Sequence, residues 1–225
     1  MKNTDACGIQ DQDRTEYCLR IQKAIEYKGN DDHEDIPSIL KDYENLILSK
    51  CSITTEHRPD FSKIKDGEHF MYNSIEFIRL GKEQGGIFCI TAKVWKELPF
   101  DKNSCNNYTK SSLRKELQER FLPLLDEADL LPYEMDLTAD NGDTAYGKCT
   151  DKVGLISCDL YRKYRNFIPL FDEFMWTCTA WHCISGNANN VRDVHASGAL
   201  GDNVAYSAFG VVPACIFKDI KEYEK

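Results

Sequence analysis

At 225 residues, 42% hydrophobic and 29% charged, the chain can hold one sizeable domain plus a small appendage, and it is apolar enough to pack a core rather than remain disordered. A formal charge of -9 and a pI near 5.1 argue against nucleic-acid partners, because phosphates would be repelled and no basic patch interrupts the acidity. No apolar run approaches the roughly 18 residues that a membrane-crossing helix needs.

The first 14 residues are polar and acidic and lack the apolar core of a signal peptide, so the expectation is synthesis in a reducing cytoplasm, with later association to a virion or a surface left open. The ten cysteines are scattered, and a chain of this size needs no disulfide staples, so mostly free thiols are expected. Cys89 and Cys215 sit in apolar runs and read as small buried hydrophobes.

Residues 1–60 read as a separate helical segment. A first helix over 15–27 carries Tyr17, Leu19, Ile21, Ala24 and Ile25 and stops at Gly29-Asn30. A second begins after Asp35 and carries Ile39, Leu40, Tyr43, Leu46 and Ile47. The pair suits packing or homo-oligomerisation, and residues 54–60, with Arg58-Pro59, read as a linker. From residue 61 the periodicity changes. Stretches at 69–72, 75–80 and 86–91 alternate or run apolar between turn residues, as in a three-strand antiparallel meander. Ser111 or Ser112 caps a helix over 113–122 that ends before Pro123. Short strands at 133–138 and 153–157 follow, then a helix at 159–165. Beyond Phe174 the chain is rich in Asn, Gly, Ser and Ala, with tight turns expected at Gly186-Asn187 and Gly201-Asp202-Asn203. Residues 61–225 therefore predict an α+β domain with few long elements and much loop.

Residues 176–217 stand apart. Their only formal charges are Arg192, Asp193 and Asp202, and none of the chain's 19 Lys, 16 Glu, 5 Gln or 4 Met falls among these 42 residues. Aromatic, small and amide residues replace them, a palette that supplies rigid contact area and adaptable hydrogen bonds. The same residues also suit hairpin turns, and both roles can coexist on a rigid scaffold.

The frame running from WT through SGNANNV, SGALG and FGVVPACIF resembles the variable domains of diversity-generating retroelements. It is also similar to a larger family of gut Firmicutes and their phages that ends in a Gly-Val-Arg-Pro-Ala-like strand. Upstream, Ser112-Leu113-Arg114-Lys115-Glu116-Leu117 and Asp151-Lys152-Val153-Gly154-Leu155-Ile156-Ser157 match that family's helix and strand landmarks, so the resemblance spans about residues 64–218. It departs at Val212, where the family often has Arg. The resemblance implies a C-type-lectin-like fold, with short antiparallel strands and long loops, over residues 61–225. It also implies diversification by adenine-directed mutation of Asn codons, which cannot produce Lys, Glu, Gln, Met or Trp. Under it, Trp176 and Trp181 are scaffold.

Carried over by position, the variable, ligand-contacting candidates are Cys178, Ala180, His182, Cys183, Arg192, Asp193, His195, Ala199, Asp202, Val204, Tyr206, Ala208 and Phe209. Ala180, His182, Arg192, His195, Asp202, Val204 and Tyr206 are expected to face solvent. Asn187, Asn189, Asn190, Gly198, Gly210, Val212 and Pro213 read as framework, with Gly210 expected at positive φ. The implied partner is a protein or glycan on a cell or phage-host surface, bound without catalysis.

Sharper chemistry competes. A zinc site from Cys178, Cys183, His182 and His195 is opposed by adjacent His182 and Cys183, which would point oppositely in a strand. A Cys–His nucleophile lacks an orienting third group. An oxidase similar to formylglycine-generating enzymes would use Cys178 and Cys183, but Ile184-Ser185-Gly186-Asn187 replaces the Arg-Tyr-Arg-rich strand expected after that pair. A structural phage component is the non-binding alternative. A calcium-dependent sugar site needs more carboxylates than Asp193 and Asp202, so no metal and no cofactor are expected.

Overall fold

The computed structural model describes residues 11–26, 36–50, 59–61, 63–184 and 188–219, and the chain divides into two units, residues 1–58 and 59–225. The first unit holds α1 (Asp11–Glu26) and α2 (Ile36–Lys50). Tyr17 and Tyr43 bring their ring centroids to 4.8 Å, and Arg20 lies over Tyr17 while donating to Asp42 at 2.9 Å. Helix α1 starts four residues before the apolar pattern indicates. The stop at Gly29-Asn30 and most of the linker fall outside the described residues. No helix among the described residues is long and apolar enough to cross a membrane.

The second unit mixes a few short helices with mostly antiparallel sheets. Strands β1 (His69–Tyr72), β2 (Ile75–Glu83) and β3 (Gly86–Thr91) form the expected meander. Its two turns place Asn73 and Ser74, then Gln84 and Gly85, at φ of 47°, 63°, 50° and 84°. Two consecutive left-handed residues match the twist of the flanking strands, which makes such two-residue links tight.

The C-terminal strand β13 (Ala214–Phe217) inserts beside β3, with Cys215 opposite Cys89. Its other edge is shared by β5 (Leu130–Leu131) and β8 (Val153–Gly154). A central strand is covered on both sides, which explains the unbroken apolar run there. Phe217 is wholly buried and packs within 6 Å of the rings of Phe61, Phe70, Tyr72 and Phe77.

The second sheet runs β11 (Leu200–Val204), β10 (Asn190–Val194), β9 (Met175–Ala180), β12 (Ala208–Val211) and β4 (Lys96–Pro99). Only the β9–β12 bridge, Gly210 to Met175, is parallel. A third, two-stranded sheet joins β6 (Tyr133–Asp136) to β7 (Lys148–Asp151).

Ser111 caps α3 (Ser112–Glu116), its hydroxyl accepting from the Arg114 N–H at 3.1 Å. The single helix expected over 113–122 is instead α3 followed by a wider π turn (Leu117–Phe121) and a 3₁₀ turn (Leu122–Leu124) around Pro123. Bulky Leu117 and Phe121 are both buried, and the wider turn aims both at the core. The strand expected at 153–157 is only β8, because Ser157 caps α4 (Cys158–Tyr164) by accepting from Leu160 N–H at 3.2 Å. Strands β4, β5 and β7 carry no alternation strong enough to announce them.

Candidate recognition face

Residues 176–217 do not form one surface. They supply β9 to β12 of the second sheet, whereas β13 is a fully buried strand of the first. The framework positions Val212 and Pro213 are buried accordingly. Trp176 is also wholly buried, donating its indole N–H to the Leu98 carbonyl at 3.0 Å. Gly210 is buried but does not adopt positive φ. It is needed for close approach instead, since a Cβ there would sit 3.0 Å from the Phe174 carbonyl oxygen. Gly198 is the left-handed glycine of the segment, at φ 81°, in the turn linking β10 to β11. The turn expected at Gly201-Asp202-Asn203 is therefore strand: those residues lie within β11, and the chain reverses at 196–198.

The β10–β11 ladder pairs Asn190 with Val204, Val191 with Asn203, Arg192 with Asp202, Asp193 with Gly201, and Val194 with Leu200. Alternation sends the candidates to opposite sides of the sheet. Asp193 falls on the inner, buried side, whereas His195 lies just beyond the ladder with its side chain 37% exposed. His195 stacks on Phe174 at 4.2 Å and puts Nε2 3.2 Å from Asp193 Oδ1, while Asn203 donates to Asp193 Oδ2 at 2.7 Å. Gly201 completes this packing, because any Cβ there would collide with His195 Nε2. Phe209 packs inward on Trp176 and Phe174.

Three candidates are corrected outright. Cys178, Ala180 and Asp193 are buried, so they offer no contact surface. The cause is an irregular β9. Two extra residues between the Val191 and Asp193 registers bend β9 off its partner, and Thr177 Oγ1 donates to the Arg192 carbonyl at 2.7 Å. The bend sends the Cys178 N–H to the Ile156 carbonyl and the Ala180 carbonyl to the Asp140 N–H. A run that looks half-exposed by composition is thus wrapped on both sides.

The outer side carries Arg192, Asp202, Val204 and Asn190, joined by Trp181. Arg192 lies over the Trp181 ring at 5.1 Å, 3.6 Å from Asp202 and 3.7 Å from Asp140. Asn190 donates to Asp202 at 2.8 Å, and Arg162 reaches Asp140 at 3.4 Å and Asp159 at 2.7 Å. Trp181, expected as scaffold, is 40% exposed. Tyr206, at 63%, and the small Ala199 and Ala208 stand exposed on the turns and the start of β12. His182 and Cys183 are half-buried; the His182 ring accepts from the Ile184 N–H at 3.2 Å.

A residue outside the segment organises this region. Asn106 is wholly buried, and its side-chain amide donates to the carbonyls of His182 and Asn190, both at 2.9 Å, while its oxygen accepts from Tyr146 O–H at 2.6 Å. The signal in the sequence was slight, one asparagine in an Asn-Asn pair within an unpatterned loop. Asp140 had a stronger one, as it opens the turn-rich run Asp140-Asn141-Gly142-Asp143.

The thiols meet no shared site. Burial pushes the Cys178 thiol well above its ordinary range, and burial also raises that of Cys183, whose sulfur lies 3.9 Å from the Asp143 carbonyl. Reactive cysteines are accessible thiolates, and neither environment favours the thiolate. The eight described cysteines are free thiols, and no group of three or more His, Cys, Asp or Glu is arranged to hold a metal among the described residues.

Burial is also the main cause that raises the Asp193 carboxyl above its ordinary value. A raised carboxyl pKa means that the folded state holds the proton more tightly, so this group's contribution to stability rises as pH falls into the window above pH 3.8. Asp193→Asn keeps the shape and the bond from Asn203. It is expected to flatten the stability–pH profile in that window relative to the parent, read by thermal melts from pH 7 to roughly 4. Parallel profiles would show that Asp193 is not the group responsible.

No protein-family profile matches the chain, and neither a curated protein nor a solved structure matches it.

Proposed function

We propose that this chain is a non-catalytic ligand-binding protein with a C-type-lectin-like second unit, whose recognition face is the outer side of β10–β11 with the adjoining turns. The observation that carries this reading is a separation of roles within one compositionally odd segment. Trp176, Val212 and Pro213 are buried, whereas Tyr206, Ala199, Ala208 and Trp181 project from the same stretch into solvent. A surface that changes its side chains needs a backbone that folds independently of them, and binding residues are most often carried on loops over a rigid frame. The mostly antiparallel sheets, with strand β13 set beside β3, are consistent with the lectin-like reading. The proposed partner is a protein or glycan on a cell or phage-host surface, and the helices of residues 1–58 are proposed as the oligomerisation element.

Two measurements test it. Substitutions at His182, Ala199, Val204, Tyr206 and Ala208 are expected to change stability by within about 0.5 kcal/mol each. Costs comparable to that of a buried aromatic would make these positions structural and end the reading. Sequencing around the coding region is expected to reveal a near-repeat of the segment for residues 176–217, with Asn codons at the variable positions, beside a reverse transcriptase. Without that repeat, the diversification mechanism is wrong even if the face binds.

A further inference from the structure

The cluster on the outer face has a chemistry of its own, and the following inference rests on the recognition-face reading. Arg192 is almost enclosed, its side chain 12% exposed, yet among the described residues its guanidinium makes no hydrogen bond. Its Nε is buried without a hydrogen-bond partner among the described residues, and the flanking carboxylates of Asp140 and Asp202 stand at 3.7 and 3.6 Å, beyond hydrogen-bonding distance. A guanidinium held largely out of water without hydrogen bonds is costly, so a ligand that supplies acceptors to the part still exposed binds with a gain. The surroundings decide which ligand. Three carboxylates (Asp140, Asp159, Asp202) face two guanidinium groups (Arg162, Arg192), and the chain carries -9 overall, so an anion is repelled. A simple cation is opposed by Arg192 at the centre.

What remains is a neutral group that accepts from guanidinium and donates to carboxylate at neighbouring atoms, which vicinal hydroxyls do. Trp181, part of its indole open to solvent, adds a flat apolar platform beside the cluster. Asp140 and Arg162 also line a groove of about 520 Å³ with Asp136, Thr138 and Thr179, within the size range of ligand sites. We infer that Trp181, Arg192, Asp202 and Asp140 form a metal-independent binding site for a neutral pyranose, with the groove receiving further sugar units.

Saturation-transfer NMR on the full chain tests this, using the methyl glycosides of glucose, galactose, mannose and N-acetylglucosamine, short oligosaccharides of each, and neutral tetrapeptides as counter-probes. The expected result is transfer to at least one sugar, unchanged by EDTA. Trp181→Ala and Arg192→Lys are each expected to weaken it roughly tenfold or more, with Trp181→Ala leaving the melting temperature in place. Silence from every sugar, loss of signal on adding EDTA, or full binding by Trp181→Ala would each overturn the inference. Transfer to the tetrapeptides alone would also overturn it while leaving the recognition face intact. Failure of the face itself would appear separately, in the stability costs at Tyr206 and His182.

Discussion

Trp176→Ala is expected to lower unfolding free energy by about 3–5 kcal/mol, the range for truncating a buried aromatic. In a domain of this size that corresponds to a fall in melting temperature on the order of 10 °C. The indole is wholly buried with its ring 5.8 Å from Phe100 and 4.6 Å from Phe209. Its N–H donates to the carbonyl of Leu98 on edge strand β4, so the same side chain ties β9 to β4 across β12. Alanine removes the ring volume and leaves that carbonyl without its partner. Chemical denaturation checks the number. A loss below about 1 kcal/mol would show that the second sheet does not rest on this side chain, and would remove the contrast on which the variable-face argument depends.

How far the sequence reaches is visible in particular residues. The β1–β3 meander was legible because alternation and two-residue turns are local signals. Ser111 marks its helix start for the same reason, whereas Ser157 reads as the end of a strand and instead caps α4. Trp176 was legible as framework because its codon lies outside the proposed mutable set. The fates of Cys178, Ala180 and Asp193 were not legible, since they depend on the irregularity that bends β9 toward Ile156 and Asp140, partners distant in sequence. Composition described the segment as a whole, whereas alternation split it: Arg192 and Asp202 share one side of the β10–β11 ladder, while Asp193 is buried on the other. Strands β4, β5 and β7 are short, and pairing rather than pattern creates them. Asp140 and Asn106 were missed as contributors because nothing in an isolated loop sequence says what it will touch.

Asn106 carries the second large expectation. Both ends of the stretch between His182 and Asn190 hang from its one amide group, and the backbone N–H of Asn106 also donates to the Ala188 carbonyl at 3.1 Å. Burial pushes the Tyr146 hydroxyl up to about 12, so this phenol stays protonated and keeps donating to Asn106 Oδ1 throughout the neutral range. Asn106→Ala leaves the His182 carbonyl and the Tyr146 O–H without this partner, while the Asn190 carbonyl keeps the Trp181 N–H, and at about 1–3 kcal/mol for each unsatisfied group the expected loss is about 2 kcal/mol or more. Asn106→Asp is the sharper variant. It has the same shape but no N–H donors, and a carboxylate would face two carbonyl oxygens inside the protein. If Asn106 acts through those donors, Asp should be as damaging as Ala. The amides of Trp181 and Ala205, bonded to the carbonyls of Asn190 and Asn189, should then lose hydrogen-exchange protection first. If Asn106→Asp melts with the parent and both amides stay protected, the residue merely fills space. The frame beneath the outer face would then have to be held by the β10–β11 ladder alone.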